Sequence, residues 1–541
     1  MAAQPMTSPQ PDRVPFEAAV PRITLRNHFS HAYDSAIAAA RTCYAPRLIG
    51  PEEITDKQRL QIGASTFYGG HHTVYQHAHF EFGLENVSRQ FVWSFLHAHP
   101  FYNSEQQSQR YVRLDHALAY SPAETPGFGP AERAIYEGAI ARAWGYYREL
   151  TALLQGDAHE ILSDIWHIGP MSHAKRVQKV ERQAEKRAIE VARYVLPVAA
   201  ATTMVHTLSG IVLHRLWRMA AASDTPAEAR AVIGEMVSRV REIDPQFFDR
   251  FDNAPMAQEE MPEWSHASSG GASAFPGGGN AEFHGEEFAR EFDARLARRV
   301  SLLADYSPQA PRVVADAYRA VLGLTENACP DEEAIDRLLN PARNPYRLET
   351  LNIGVHAPVM RALQHANFTF AKKISHTADS QDQRHRMVPG SRPILMLADT
   401  RPPDFVTPML IAGNAPAREV YERAMADAWS AKNELLDRGA PREIALYLLP
   451  NAKSIRLVES GSLLHLLHKW TMRTCFNAQE EIYQASMEEV QQVRAALPSL
   501  GRYLGPPCYI RAGIATPICT EGSHFCGIKV WQEFPKIERR I

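Results

Sequence analysis

Gln364-His365-Ala366-Asn367-Phe368-Thr369-Phe370 repeats, with small changes, the earlier stretch Gln76-His77-Ala78-His79-Phe80-Glu81-Phe82. In each copy two phenylalanines alternate with other residues, the period of a short strand with one buried face. Ser88-Arg89 follows the first copy and Ser375-His376 the second. Further on, Ala192-Arg193-Tyr194-Val195-Leu196-Pro197 corresponds to Ala445-Leu446-Tyr447-Leu448-Leu449-Pro450, each proline marking a break or kink after a helix. Residues 205–219 and 458–473 then carry apolar side chains at helical spacing, and long amphipathic segments at 131–154 and 417–436 precede them. The landmarks keep one order in both copies, the mark of a tandem duplication. Helix dominates and strands are few.

The boundary between the copies is equally plain. Residues 263–280 include SSGGASAFPGGGN, which offers almost nothing to bury and reads as a flexible linker. The expected organisation is a disordered N-terminus at 1–20, a first domain at 21–258 and a linker at 259–290. A second domain follows at 291–500 and a cysteine-containing extension at 501–541.

Bulk numbers exclude several classes. Of 541 residues, 45% are hydrophobic and 22% charged, and the net charge is -3, so a nucleic-acid coat or a polybasic membrane anchor is not expected. No apolar run approaches a membrane span, and the polar, proline-rich start lacks the pattern of a secretory signal. Six cysteines, sparse before residue 475, suit a reducing cytoplasm.

Any anion site must then be a local cluster. Arg384-His385-Arg386 sets two permanent cations around an imidazole. Alone it reads as a solvated basic turn. It follows Ser375-His376 by seven residues; the same spacing after Ser88-Arg89 lands on His97-Ala98-His99.

In sum these elements resemble the flavin-dependent thymidylate synthases. Half one supplies HHTVYQHAHFEFGLENVSR, SEQQSQRYV and EVARYVLP; half two supplies HANFTF, QDQRHRM, YLLPNA and MRTCFNAQEEI. The resemblance spans roughly 22–255 and 298–500, nearly a whole family domain in each half. It implies an α+β fold: two tandem helix-rich domains, each with a small mixed or antiparallel sheet. No GxGxxG unit opens a strand–helix pair, which agrees with a non-Rossmann flavin fold.

Neither half is complete. Half one keeps the Ser108-Gln109-Arg110 loop and Arg193 but lacks Arg-His-Arg. Half two keeps Gln381, Arg384-His385-Arg386, Arg473 and Gln479, but has only Ser391-Arg392 for the loop and Leu446 for Arg193. The family builds its sites between subunits of a homotetramer. The expectation is therefore a pseudo-dimer of halves with composite sites, and a homodimer of chains forming a pseudo-tetramer.

The resemblance implies the following roles. Arg384, His385 and Arg386 bind FAD, with His365, His77 and Gln479 as further flavin contacts. Gln381 faces the pyrimidine of dUMP, Ser108, Gln109 and Arg110 cradle its phosphate, and Arg193 adds a cation. Arg473 holds the uracil ring and stabilises charge as C5 becomes nucleophilic. The reaction implied is dUMP to dTMP, with methylenetetrahydrofolate and NADPH as co-substrates. Blander readings stand beside these. Ser108–Arg110 is then a polar turn before a strand at Tyr111-Val112, and Arg193 an arginine at a strand start. Arg473 pairs on a helix surface with Glu480 or Glu481, Gln381 is a surface residue, and the histidines are packing residues. Two other functions remain open: a divergent member acting on another pyrimidine nucleotide, and a non-catalytic flavin- or nucleotide-binding protein. Cys508, Cys519 and Cys526 lie outside the family pattern and read either as free thiols or as ligands of zinc or an iron–sulfur cluster.

Overall fold

The computed structural model describes residues 13–222, 224–251, 253–264 and 284–541. Most of the expected linker and the first twelve residues lie outside these. The strands, in chain order, are β1 (Phe16–Ala19), β2 (Arg22–His28), β3 (His79–Ser88), β4 (Tyr102–Gln106), β5 (Ala117–Tyr120), β6 (Ala201–Ser209), β7 (Ser301–Tyr306), β8 (Asn367–Ser375), β9 (Gly390–Ser391) and β10 (Ser454–Ser462). Each half holds a four-stranded antiparallel sheet, ordered β2-β3-β6-β4 and β7-β8-β10-β9. The expected lead-in is shorter than 1–20, because β1 pairs in parallel with β5.

The repeated stretch opens the central strand of each sheet. Phe80, Phe82 and Leu84 in β3, and Phe368 and Phe370 in β8, are buried, as the alternation demands. Each strand ends on a serine that caps the next helix. The Ser88 hydroxyl accepts from the Phe91 N–H at 2.8 Å to start Arg89–His97, and Ser375 accepts from Ala378 at 3.1 Å to start His376–Asp382. The segments read as helical from 205 and 458 begin as strands; their helices are Gly210–Arg218 and Leu463–Arg473. The apolar run is continuous there because both sheet and helix bury a face, so periodicity alone missed the switch.

Three cores form. One lies inside each half, around Phe82 and Phe370 respectively. The third joins the halves: Trp93, Tyr136, Trp144 and Leu196 of the first pack with Tyr421, Trp429, Tyr447 and Leu449 of the second. The long helices Pro130–Ile165 and Ala415–Asp437 pack together there. At Gly127 (φ +80) the chain passes so close to half two that a Cβ would stand 2.1 Å from the Gly439 carbonyl.

Pro197 and Pro450 sit at the centre of this joint and form a β-bridge. Around them the main chains exchange hydrogen bonds in pairs. Val198 N–H donates to Leu449 at 2.8 Å and Asn451 N–H to Leu196 at 2.8 Å; Ala199 donates to Tyr447 at 3.0 Å and Ala452 to Tyr194 at 2.9 Å. The duplicated motif is therefore the pseudo-twofold contact itself.

Candidate functional site

The pseudo-symmetry orders two buried carboxylates. Glu228 accepts the Ser88 N–H at 2.7 Å and hydroxyl at 2.6 Å, and the Tyr447 hydroxyl of the other half at 2.5 Å. Glu481 accepts the Ser375 N–H at 2.6 Å and hydroxyl at 2.5 Å, and the Tyr194 hydroxyl of the other half. Beside Tyr194 the symmetry ends. Gln479 Nε2 donates to the Tyr194 oxygen at 2.5 Å, and Gln381 donates to Gln479. A relay thus runs from Gln381 through Gln479 and Tyr194 to Glu481.

Arg473, the last residue of its helix, donates from Nε to His385 Nε2 at 2.9 Å and from Nη2 to the Gln381 carbonyl at 3.4 Å. Burial, followed by the Arg473 and Lys469 charges, pushes the His385 imidazole down to about 2, so it is a neutral acceptor throughout the physiological range. Burial also lowers the pKa of Arg473, helped by the Arg110 and Arg384 charges and opposed by Asp382.

Arg110 arrives from half one. It donates to Glu190 at 2.5 Å and to the Asn477 carbonyl at 3.0 Å. Arg187 donates to Glu190 at 2.8 Å and to the Phe476 carbonyl at 3.3 Å. Burial opposes ionisation of Glu190, but Arg110, Arg187 and Arg193 prevail and hold it at about 2. The result is a cavity of about 610 Å³ between the halves, lined by Arg110, Lys186, Arg187, Glu190, Asn477 and Arg539 among others. Beside it, Gln109 and Arg193 are each only 4% exposed, yet Gln109 Nε2 and Arg193 Nη2 have no hydrogen-bond partner among the described residues. Buried donors left unpaired carry a desolvation cost that an anionic or carbonyl-bearing ligand relieves. A second cavity, about 260 Å³, is lined by Arg384 and Arg386 with residues 102–106 of half one. There Arg384 donates to Glu105 at 2.8 Å, and the Arg386 guanidinium lies 5.1 Å from the centre of the Tyr102 ring. The Ser104 hydroxyl and Gln106 Oε1 on this wall lack partners among the described residues. Two guanidiniums and the free Ser104 hydroxyl suit phosphate, whereas Gln106 Oε1 is an acceptor and meets a donor instead.

Residues 24–246 and 302–499 each match the model of the thymidylate synthase complementing protein family. The chain belongs to this family. Curated relatives named flavin-dependent thymidylate synthase include that of Geobacter sulfurreducens, 33% identical over 168 residues, 30% of this chain and 70% of the relative. Those of Clostridium tetani (29% over 216 residues, 39% and 78%) and Nitratidesulfovibrio vulgaris (29% over 236 residues, 42% and 85%) are similar. Among solved structures, a UMP/dUMP methylase PolB from Streptomyces cacaoi, bound with 5-Br dUMP, aligns with 45% of this chain and 100% of its own at 14% identity and TM-score 0.31.

The thymidylate synthase complementing fold thus occurs twice here, and the structure gathers residues predicted from both halves. Arg110, Arg193, Gln381, His385, Arg473 and Gln479 meet at the joint, with Ser108 and Gln109 on the same loop and Arg384 and Arg386 beside it. His77 and His365 are exposed and stand outside this hydrogen-bond network among the described residues. Arg473 pairs with His385 rather than with Glu480 or Glu481, which are held by Met409 N–H and by Ser375 and Tyr194. Ser108–Arg110 lies in a turn that no strand at Tyr111-Val112 follows, and Arg193 lies in the 3-10 turn Arg193–Val195, not at a strand start. Sequence reasoning missed Arg187, Glu190, Tyr194 and Arg539. Tyr194 was in reach, since Tyr447 repeats it; Arg539 belongs to the tail, where no repeat exists to compare.

That tail docks on the same loop. Asn477 donates to Glu521 at 3.0 Å and to the His524 carbonyl at 2.9 Å, and Arg539 donates to the Ala478 carbonyl at 2.9 Å. Among the described residues, no group of three or more His, Cys, Asp or Glu side chains is placed to hold a metal ion. Cys508, Cys519 and Cys526 are free thiols, and burial pushes the Cys508 thiol up to about 12. The expected metal there has no ligand set; packing orders the tail instead, with Cys508 and Cys526 against the core of half two. No described helix is long and apolar enough to cross a membrane.

Proposed function

We propose that the chain is a flavin-dependent thymidylate synthase that converts dUMP to dTMP at a composite site drawn from both halves. The convergence of Arg110 from half one and Arg473 from half two around the Asn477 loop supports it most directly. Neither half alone holds both a phosphate-binding loop and the Arg-His-Arg segment.

In this reading Ser108, Gln109 and Arg110 bind the nucleotide phosphate, and the unpaired Gln109 and Arg193 donors complete the cradle. Gln381, held by Gln479 and Tyr194, faces the pyrimidine. Neutral His385 orients Arg473 by accepting its Nε–H. Arg473 then faces the ring with its remaining donors and stabilises charge that develops as C5 attacks. The cationic wall of Arg384 and Arg386 fits the diphosphate of FAD, which supplies the redox chemistry when bound. Methylenetetrahydrofolate is the carbon donor and NADPH the reductant. Two chains pair to form the tetramer-like assembly.

Purified protein incubated with dUMP tritiated at C5, methylenetetrahydrofolate and NADPH is expected to release tritium to water and to form dTMP. Release from another pyrimidine nucleotide but not from dUMP marks a divergent member. Bound flavin and nucleotide without release mark a non-catalytic binder.

A further inference from the structure

The pseudo-twofold axis generates a second site, and it has changed character. Counting from the paired serines Ser88 and Ser375, His97 and His99 occupy the places of Arg384 and Arg386, and Ala98 that of His385. Counting from Ser209 and Ser462, Ala220 falls where Arg473 stands and Asp224 where Asn477 stands. Arg392, beside the shortened serine loop of half two, donates to Asp379 at 2.6 and 2.8 Å and is committed to that pair. Every cation of the first site is therefore missing or engaged here.

The space has not closed. A cavity of about 500 Å³ remains, walled by Phe91, Phe95, Leu216 and Ile394 and reaching His97, His99 and Asp224. That size lies within the ordinary range for small-ligand pockets. Its polar groups are poorly satisfied. Asp224 is 6% exposed; the Leu395 and Met396 N–H groups face its carboxylate, yet Oδ1 has no hydrogen-bond partner among the described residues. His99 Nε2 is also unpaired, and His97 faces the Trp93 carbonyl one turn back in its own helix. Buried polar atoms of this kind are rare in native folds unless a ligand or water meets them.

We propose that this cavity is a second ligand site, which takes an uncharged planar nitrogen heterocycle, a nucleobase or a nucleoside without phosphate. Aromatic and aliphatic walls accept the flat faces of such a ring, while the two imidazoles and the carboxylate oxygen meet its edge. Burial keeps His97 and His99 neutral, at about 3 and about 4, so neither replaces the lost arginines as a phosphate partner. Arg215 and Glu263, of opposite sign, stand exposed at the rim and add no net charge. The duplicated geometry carries this site whatever reaction the first site performs.

The probes are thymidine and deoxyuridine, titrated calorimetrically into the full chain with the first site saturated by dUMP. One equivalent is expected to bind. Met219→Trp, at the exposed rim, and Asp224→Leu are each expected to weaken it by about tenfold or more, while Arg110→Ala leaves it unchanged. Thermal melting establishes that the variants fold, and Met219→Trp keeps the test open if Asp224→Leu does not. Absence of nucleoside binding under saturating dUMP overturns the proposal, as does binding that Arg110→Ala abolishes and Met219→Trp spares.

Discussion

The Arg110 guanidinium donates to the main-chain carbonyl of Asn477 at 3.0 Å, across the joint between the two halves. One cation thus grips the loop that carries Asn477 and Gln479 while it also pairs with Glu190 at 2.5 Å. The site is held together by the same contact that is proposed to bind phosphate. Arg110→Ala is expected to lower dUMP affinity by about tenfold to a hundredfold, the span of a lost charge-assisted hydrogen bond. Isothermal titration reads it. Unchanged dUMP affinity means that the site does not cross between halves.

Arg473→Ala is expected to act on rate rather than on affinity. Its Nε is already used by His385, so its remaining donors count most where charge develops. Loss of one such donor costs about a hundredfold to a thousandfold in kcat. Tritium release under saturating dUMP measures this, and a change in KM alone refutes the assigned role.

The paired tyrosines separate structure from function. Tyr194 and Tyr447 each donate to a buried carboxylate of the other half, Glu481 and Glu228. Phenylalanine at either position leaves a buried carboxyl short of one donor, at a cost of about 1–3 kcal/mol. Both variants are expected to melt at similarly lowered temperatures. Only Tyr194 also receives Gln479, so only Tyr194→Phe is expected to weaken nucleotide binding. Equal effects on binding contradict the relay.

The duplication was legible because Phe80 and Phe82 recur as Phe368 and Phe370, and such alternation fixes a strand without any tertiary knowledge. The uneven split of the motifs was legible from what each half lacked, Arg-His-Arg in one and the full serine loop in the other. The relay was not. Tyr194 and Glu481 are 287 residues apart, and the joint around the Pro197–Pro450 bridge brings them together. His77 and His365 recur at the same place in each copy, each closing the 3-10 turn that leads into the central strand.

Burial lifts the Glu228 carboxyl from 4.5 to about 7, against the donors Ser88 and Tyr447. The folded chain then holds this proton more tightly than the unfolded chain does. The associated stabilisation is full below 4.5 and is lost as pH rises toward 7. A shift of this size is on the order of 3 kcal/mol. Glu228→Gln cannot ionise, so it is expected to flatten this part of the stability profile. Melting curves at about pH 5 and about pH 8 check it: the variant gains on the wild type at the higher pH. A parallel pair of profiles shows that Glu228 is not the titrating group.

Arg384 and His97 hold equivalent places after Ser375 and Ser88, but only Arg384 faces a cationic cavity. The two sites are therefore expected to respond differently to the same change. Arg384→Ala removes one of two guanidiniums from the wall proposed for FAD, and its pairing with Glu105 is solvent-exposed, so the fold survives. The purified variant is expected to lose its yellow flavin absorbance and to regain it only at high added FAD. His97→Ala leaves both arginines in place and is expected to retain flavin at wild-type occupancy. Flavin lost from both variants in equal measure would place a cofactor at each end of the pseudo-twofold and remove the distinction between the halves.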